Sequence, residues 1–73
     1  MSNTIKSFTI INFQNVRIIE VDIHYMSGVF RSYRVRDELD IPETVKRARK
    51  SGLFEIVRER NSGGIHARKY ELK

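Results

Sequence analysis

Cysteine and tryptophan are absent from this chain of 73 residues, and proline occurs once. Without cysteine there is neither a disulfide nor a thiolate ligand for structural zinc. No apolar run approaches the roughly 20 residues needed to span a bilayer. The opening Met-Ser-Asn-Thr-Ile-Lys also holds no apolar stretch of the signal-peptide kind. These absences predict one small domain, 1–73, cytoplasmic and without a membrane partner. A domain of this size buries only about 60% of its unfolded surface, so its core is small.

What the chain has in excess is positive charge, with 14 Lys+Arg against 9 Asp+Glu and a net charge of +5. The excess is not spread evenly. In residues 1–30, Lys6 and Arg17 are cancelled by Glu20 and Asp22, so the positive balance belongs to the later elements.

Ile18 to Tyr25 alternates, with Ile19, Val21, Ile23 and Tyr25 on one side and Glu20, Asp22 and His24 on the other. Period-two alternation with β-branched residues predicts a strand. Val29 to Arg36 alternates as well, and Met26-Ser27-Gly28 between the two suits a three-residue hairpin loop. That loop sets Val21 opposite Tyr33, Ile19 opposite Val35 and Glu20 opposite Arg34, matching apolar faces and pairing opposite charges. Thr4 to Phe13 reads as a further strand. Turned back at Gln14-Asn15, it brings Phe8 to Val21 and Ile10 to Ile19.

A helix is predicted from about residue 41 to 51. Asp40 and Glu43 have capping spacing, Pro42 sits in the first turn and Gly52 follows the last. Ile41, Val45 and Ala48 form its apolar stripe, and Lys46, Arg47, Arg49 and Lys50 load the rest with charge. Leu53 to Arg60 and Ile65 to Leu72 then read as a closing hairpin around an exposed Asn61-Ser62-Gly63 loop. In that register Phe54 faces Tyr70, Ile56 faces Arg68 and Glu55 faces Lys69.

The fold class expected is therefore α+β: a three-stranded antiparallel meander, one short basic helix and a C-terminal β-hairpin. The order β-β-β-α-β-β is that of small OB-like barrels, which bind single strands through aromatic and basic residues on their second and third strands. The alternative is a winged helix. Residues 33–47 resemble a helix-turn-helix, and the helix-to-wing spacing is similar to that of excisionase-like and MerR-like DNA-binding domains.

Both architectures put the same cations to work. Lys46, Arg47, Arg49 and Lys50 are the expected phosphate contacts, followed by Arg31, Arg34 and Arg36, with Phe30 as a stacking aromatic and Arg58, Arg60 and Arg68 as a second edge. The expected function is non-catalytic nucleic-acid binding. The competing expectation is a protein-interaction or inhibitor module that docks on an acidic partner or forms an edge-pairing homodimer.

Nothing points to a reaction. His24 and His66 are the two histidines and lie far apart, so neither a zinc site nor a catalytic pair is expected. Ser62-Gly63-Gly64 is too short for a phosphate loop, and no cofactor is expected.

Overall fold

The computed structural model describes residues 4–73. Met1-Ser2-Asn3, the first half of the segment read for a leader, lie outside the described residues. In chain order the elements are β1 (Ile5–Phe13), β2 (Ile18–Tyr25), β3 (Phe30–Val35), a 3-10 turn (Glu38–Asp40), α1 (Glu43–Lys50), β4 (Phe54–Ser62) and β5 (Ile65–Leu72). The α+β class holds. The meander and hairpin are not separate units, however, because β1 pairs with β5 and joins them into one five-stranded antiparallel sheet, β3-β2-β1-β5-β4. This sheet is open, with β3 and β4 at its edges, so the OB-like barrel does not form. Nor does the winged helix: residues 30–35 are a strand and only a 3-10 turn precedes α1, which leaves no first helix for a helix-turn-helix.

The β2–β3 register follows the alternation and the Gly28 turn. Ile19 pairs with Val35, Glu20 with Arg34 and Val21 with Tyr33. Gly28 has φ +90°, the left-handed residue the loop requires.

Two other registers differ from expectation. Between β1 and β2, Phe8 lies opposite Ile23 and Ile10 opposite Val21, two residues from the expected pairing. The cause is a longer turn, Gln14 to Arg17, in which Arg17 takes the left-handed conformation at φ +54°. A shift of two keeps every side chain on its expected face. Between β4 and β5, Phe54 pairs with Leu72, Glu55 with Glu71 and Ile56 with Tyr70. Here Gly63 and Gly64 both have positive φ and make a two-residue turn of the type I′ kind. β4 therefore runs on through Asn61 and Ser62, which are strand rather than loop, and a bulge at Val57 absorbs the mismatch.

The core lies on one face of the sheet. Ile5 and Phe8 of β1 and Ile19, Val21 and Ile23 of β2 are buried against Ile41, Val45 and Ala48. The three residues of the predicted stripe do pack, although Ile41 precedes α1 and only Val45 and Ala48 lie on it. Pro42, not Asp40, is the N-cap of α1; no side chain caps that end, and Asp37 instead accepts from the Leu39 N–H to cap the 3-10 turn. At the other end Ser51 holds the chain, its hydroxyl donating to the Ala48 carbonyl at 2.7 Å and accepting from the Leu53 N–H at 3.2 Å. Phe8 is the centre of the core. It stacks on Tyr70 at 4.6 Å between ring centroids and meets Phe54 edge-on at 5.3 Å, tying β1 to β5 and β4.

Phe8→Ala is expected to lower unfolding stability by about 3–5 kcal/mol. Phe30→Ala, at a residue that is 53% exposed, should cost no more than about 1 kcal/mol. Urea unfolding of both variants measures the difference, and equal losses would contradict the placement of the core.

Candidate functional site

The helix is shorter than the sheet it covers. Eight residues of α-helix span about 12 Å, whereas the nine residues of β1 or β4 span about 30 Å. Phe8, Ile19, Val21 and Ile23 of the sheet form one buried cluster with Val45 and Ala48 of α1. Towards the turn end, the β1, β5 and β4 part of the same face is polar. The Cα register places Asn12, His66 and Asn61 side by side, and Arg68 and Glu59 one row below.

Two adjoining hollows form there. One, of about 100 Å³, is lined by Asn12, Glu38, Arg49, His66, Arg68 and Tyr70, with Ile10 and Ile19 at its floor. The next is wider and shares Asn12, Ile19 and Glu38 with the first, adding Gln14, Arg17, Arg36 and Asp37. Together they make a groove with Arg49 and Arg68 on one side and Arg17 and Arg36 on the other.

The acids along this groove are partly committed. Glu59 lies beside it, within 3.0 Å of His66 Nε2 and accepting from Arg68 Nε at 2.9 Å. The hydrogen bonds from His66 and Arg68 hold its carboxyl below the ordinary range. Arg68 is shifted upward in turn, first by its bond to Glu59 and then by Tyr70. Asp37 is occupied with the Leu39 N–H. Glu38 has no ion-pair partner among the described residues.

The cations expected to act together are divided by the fold. Lys46 Nζ donates to the Leu39 carbonyl at 2.6 Å and fastens the 3-10 turn to the helix. Arg47 leans on Glu43 at 4.0 Å, an exposed i,i+4 pair. Arg49 lines the groove, and Lys50, at the end of α1, is exposed and lines neither hollow. Arg36 also lines the groove. Arg31 lies opposite Ile23 at the edge strand, on the helix side of the sheet.

Arg34 and Phe30 sit on the opposite face. Arg34 reaches Glu20 at 3.2 Å, the predicted cross-strand pair, and Phe30 packs against His24 at 4.7 Å between ring centroids. Arg58 and Arg60 are on that second face too, whereas Arg68 is in the groove. Arg17, Asn12 and His66 were not expected as site residues. The β1–β5 pairing and the left-handed Arg17 bring them there, and neither has a local sequence signature.

No group of three or more His, Cys, Asp or Glu able to hold a metal occurs among the described residues. Likewise, among them no helix is long and apolar enough to cross a membrane.

Because the Glu59 carboxyl is lowered by folding, its contribution to stability is complete above the ordinary value of 4.5 and is lost as pH falls through the lower folded value. Glu59→Gln should therefore lower the unfolding midpoint at neutral pH, and the gap to the parent protein should close on acidification below about 4.5. A gap that stays constant with pH would show that the ion-pair contacts are not its origin. No protein-family model, no curated protein and no solved structure matches this chain.

Proposed function

We propose that this protein binds nucleic acid without catalysis, taking the phosphate backbone along the groove between the end of α1 and the polar turn end of the sheet. One observation carries the reading. Arg17, Arg36, Arg49 and Arg68, from four different parts of the chain, line adjoining hollows that share Asn12 and Glu38. Guanidinium groups are well suited to phosphate oxygens, and the amides of Asn12 and Gln14 add neutral donors. Lys50 extends the positive surface beyond the groove.

The engagement of Glu59 is consistent with the non-catalytic part of this reading. A carboxylate held ionised by a histidine and an arginine is a weak proton acceptor, and His66 is the single histidine beside it. The OB-like expectation placed binding on the second and third strands through Phe30 and Arg34. In this reading those residues are not contacts, since they lie across the sheet from the groove.

If each of the four arginines neutralises one phosphate, the affinity for a single strand should fall with a log–log salt slope of about −3. Replacing Arg36 and Arg49 together by Ala should reduce the size of that slope by about 1 to 2. The paired control Arg58→Ala with Arg60→Ala, on the other face, should leave it unchanged. Fluorescence anisotropy of labelled oligonucleotides across a salt series measures all three proteins. An unchanged slope in the groove variant, or a loss confined to the control, would overturn the assignment.

A further inference from the structure

Among the described residues no helix lies on the face of the sheet away from α1, whose positions are at least partly exposed except the buried Ser7, and its pattern is partly self-complementary. The Cα registers place its side chains in four rows of aligned positions. Nearest the turns, Ile18, Phe13 and Ile65 run side by side, with Ser62 beyond them. The next row is Arg34, Glu20, Ile11, Ala67 and Arg60. The third is Ser32, Asp22, Thr9, Lys69 and Arg58. The last is Phe30, His24, Ser7, Glu71 and Glu55. An antiparallel sheet with one solvated face ordinarily turns polar residues outward. Here Ile11, Phe13, Ile18, Ile65 and Ala67 form a contiguous apolar strip instead.

The charges beside the strip are arranged against the chain's own stability. Arg58 lies directly opposite Lys69, and Glu55 directly opposite Glu71. Like charges in facing positions destabilise a strand pair. Among the described residues, a 3.7 Å contact between Lys69 and Glu71 offsets this in part. On the other flank, β2 presents Asp22 and His24 in the same two rows. In the third row the two flanks are therefore opposite in sign, Asp22 against Lys69 and Arg58, and in the fourth His24 stands against Glu71 and Glu55.

We infer that this face is a docking surface for a second copy of the same chain, packed sheet on sheet about a two-fold axis that runs along β1. Two sheets stack with their strands roughly aligned. That axis lays β2 of one copy over β5 of the other, with the rows preserved. Ile18 then meets Ile65, and Phe13 and Ile11 each meet their own counterpart on the axis. Asp22 faces Lys69 of the second copy, and His24 faces Glu71, so each like-charged pair gains an opposite or hydrogen-bonding neighbour. The unfavourable juxtapositions are at the rim, where β3 lies over β4: Arg34 meets Arg60 and Phe30 meets Glu55. Glu20, which lies over Ala67, already holds Arg34.

An axis across the strands would instead set the apolar row over His24, Ser7 and Glu71, which match it in neither charge nor hydrophobicity. Five strands and four rows give a footprint of about 600 Å² per copy, close to the roughly 800 Å² per partner of stable interfaces. The helix and the groove remain outermost on both copies, so the inference is independent of the proposed ligand.

Sedimentation velocity of the full chain, without nucleic acid and over a concentration series, tests it. A dimer is expected. Asp22→Lys and Lys69→Asp should each weaken that dimer by at least about tenfold, and the two together should restore it. Ile65→Asp, at an exposed position, should yield a folded monomer by circular dichroism. A parent protein that stays monomeric throughout would overturn the inference. So would a dimer indifferent to these changes, which would point to edge pairing at Ile56 and Val57 of β4, or single-variant losses that the double variant fails to rescue. Oligonucleotide affinity lost in Ile65→Asp from a parent already monomeric would assign the face to nucleic acid instead.

Discussion

An eight-residue helix cannot cover nine-residue strands, and the layout of this molecule follows from that mismatch. Where α1 lies, the sheet needs apolar residues beneath it, and Phe8, Val21 and Ile23 are fully buried there. Towards the turn end the β1, β5 and β4 part of the same face carries Asn12, His66, Asn61, Arg68 and Glu59, while Ile19 of β2 stays buried. Other apolar side chains at that end face the opposite way. Ile11, Phe13, Ile18 and Ile65 project from the back of the sheet. β1 and β5 therefore carry apolar side chains on both faces, while β2 keeps Ile19, Val21 and Ile23 on the helix side along its whole length.

β1 is the element that makes the two halves one structure. It is central, pairs on both sides, and sends Phe8 into contact with rings from β4 and β5. It also contributes Asn12 to the groove and Ile11 and Phe13 to the back. The basic helix is held in relation to it at two points. The Ile41, Val45 and Ala48 stripe fixes its depth, and the bond from Lys46 to the Leu39 carbonyl fixes the approach of the chain into it. That second contact gives Lys46 a structural task, although its charge alone suggested a ligand contact. Charge runs read as one face can thus be divided between support and binding once the helix is docked.

Much of the local structure was legible in the residues. Alternation from Ile18 to Tyr25 and a single glycine at 28 were enough for the β2–β3 register, because loop length, apolar match and the Glu20–Arg34 pair agreed. The buried stripe of α1 was equally plain. The β1–β2 register slipped by two because its turn contains no glycine: Arg17 itself takes the left-handed conformation. The β4–β5 register slipped because Gly63 and Gly64 both turn, and the bulge at Val57 leaves no compositional mark.

The largest gap was the pairing of β1 with β5. It joins residues more than fifty positions apart, and no periodicity encodes it. The first hollow depends on that pairing, which explains why its helical arginine was visible in advance while the approach of Asn12 to His66 was not; Arg17 was hidden instead by its left-handed turn. The back of the sheet was hidden for the same reason: Phe13 and Ile65 become neighbours only across β1 and β5.

The most direct test of where this protein meets its ligand is to titrate an unlabelled oligonucleotide into isotopically labelled protein and follow the backbone amide resonances by NMR. The groove assignment predicts that the shifts concentrate at Asn12, Arg17, Arg36, Glu38, Arg49, His66 and Arg68, with Arg58, Arg60 and Thr9 unmoved. Shifts confined to the back of the sheet, or to the outer surface of α1 around Arg47, would contradict it.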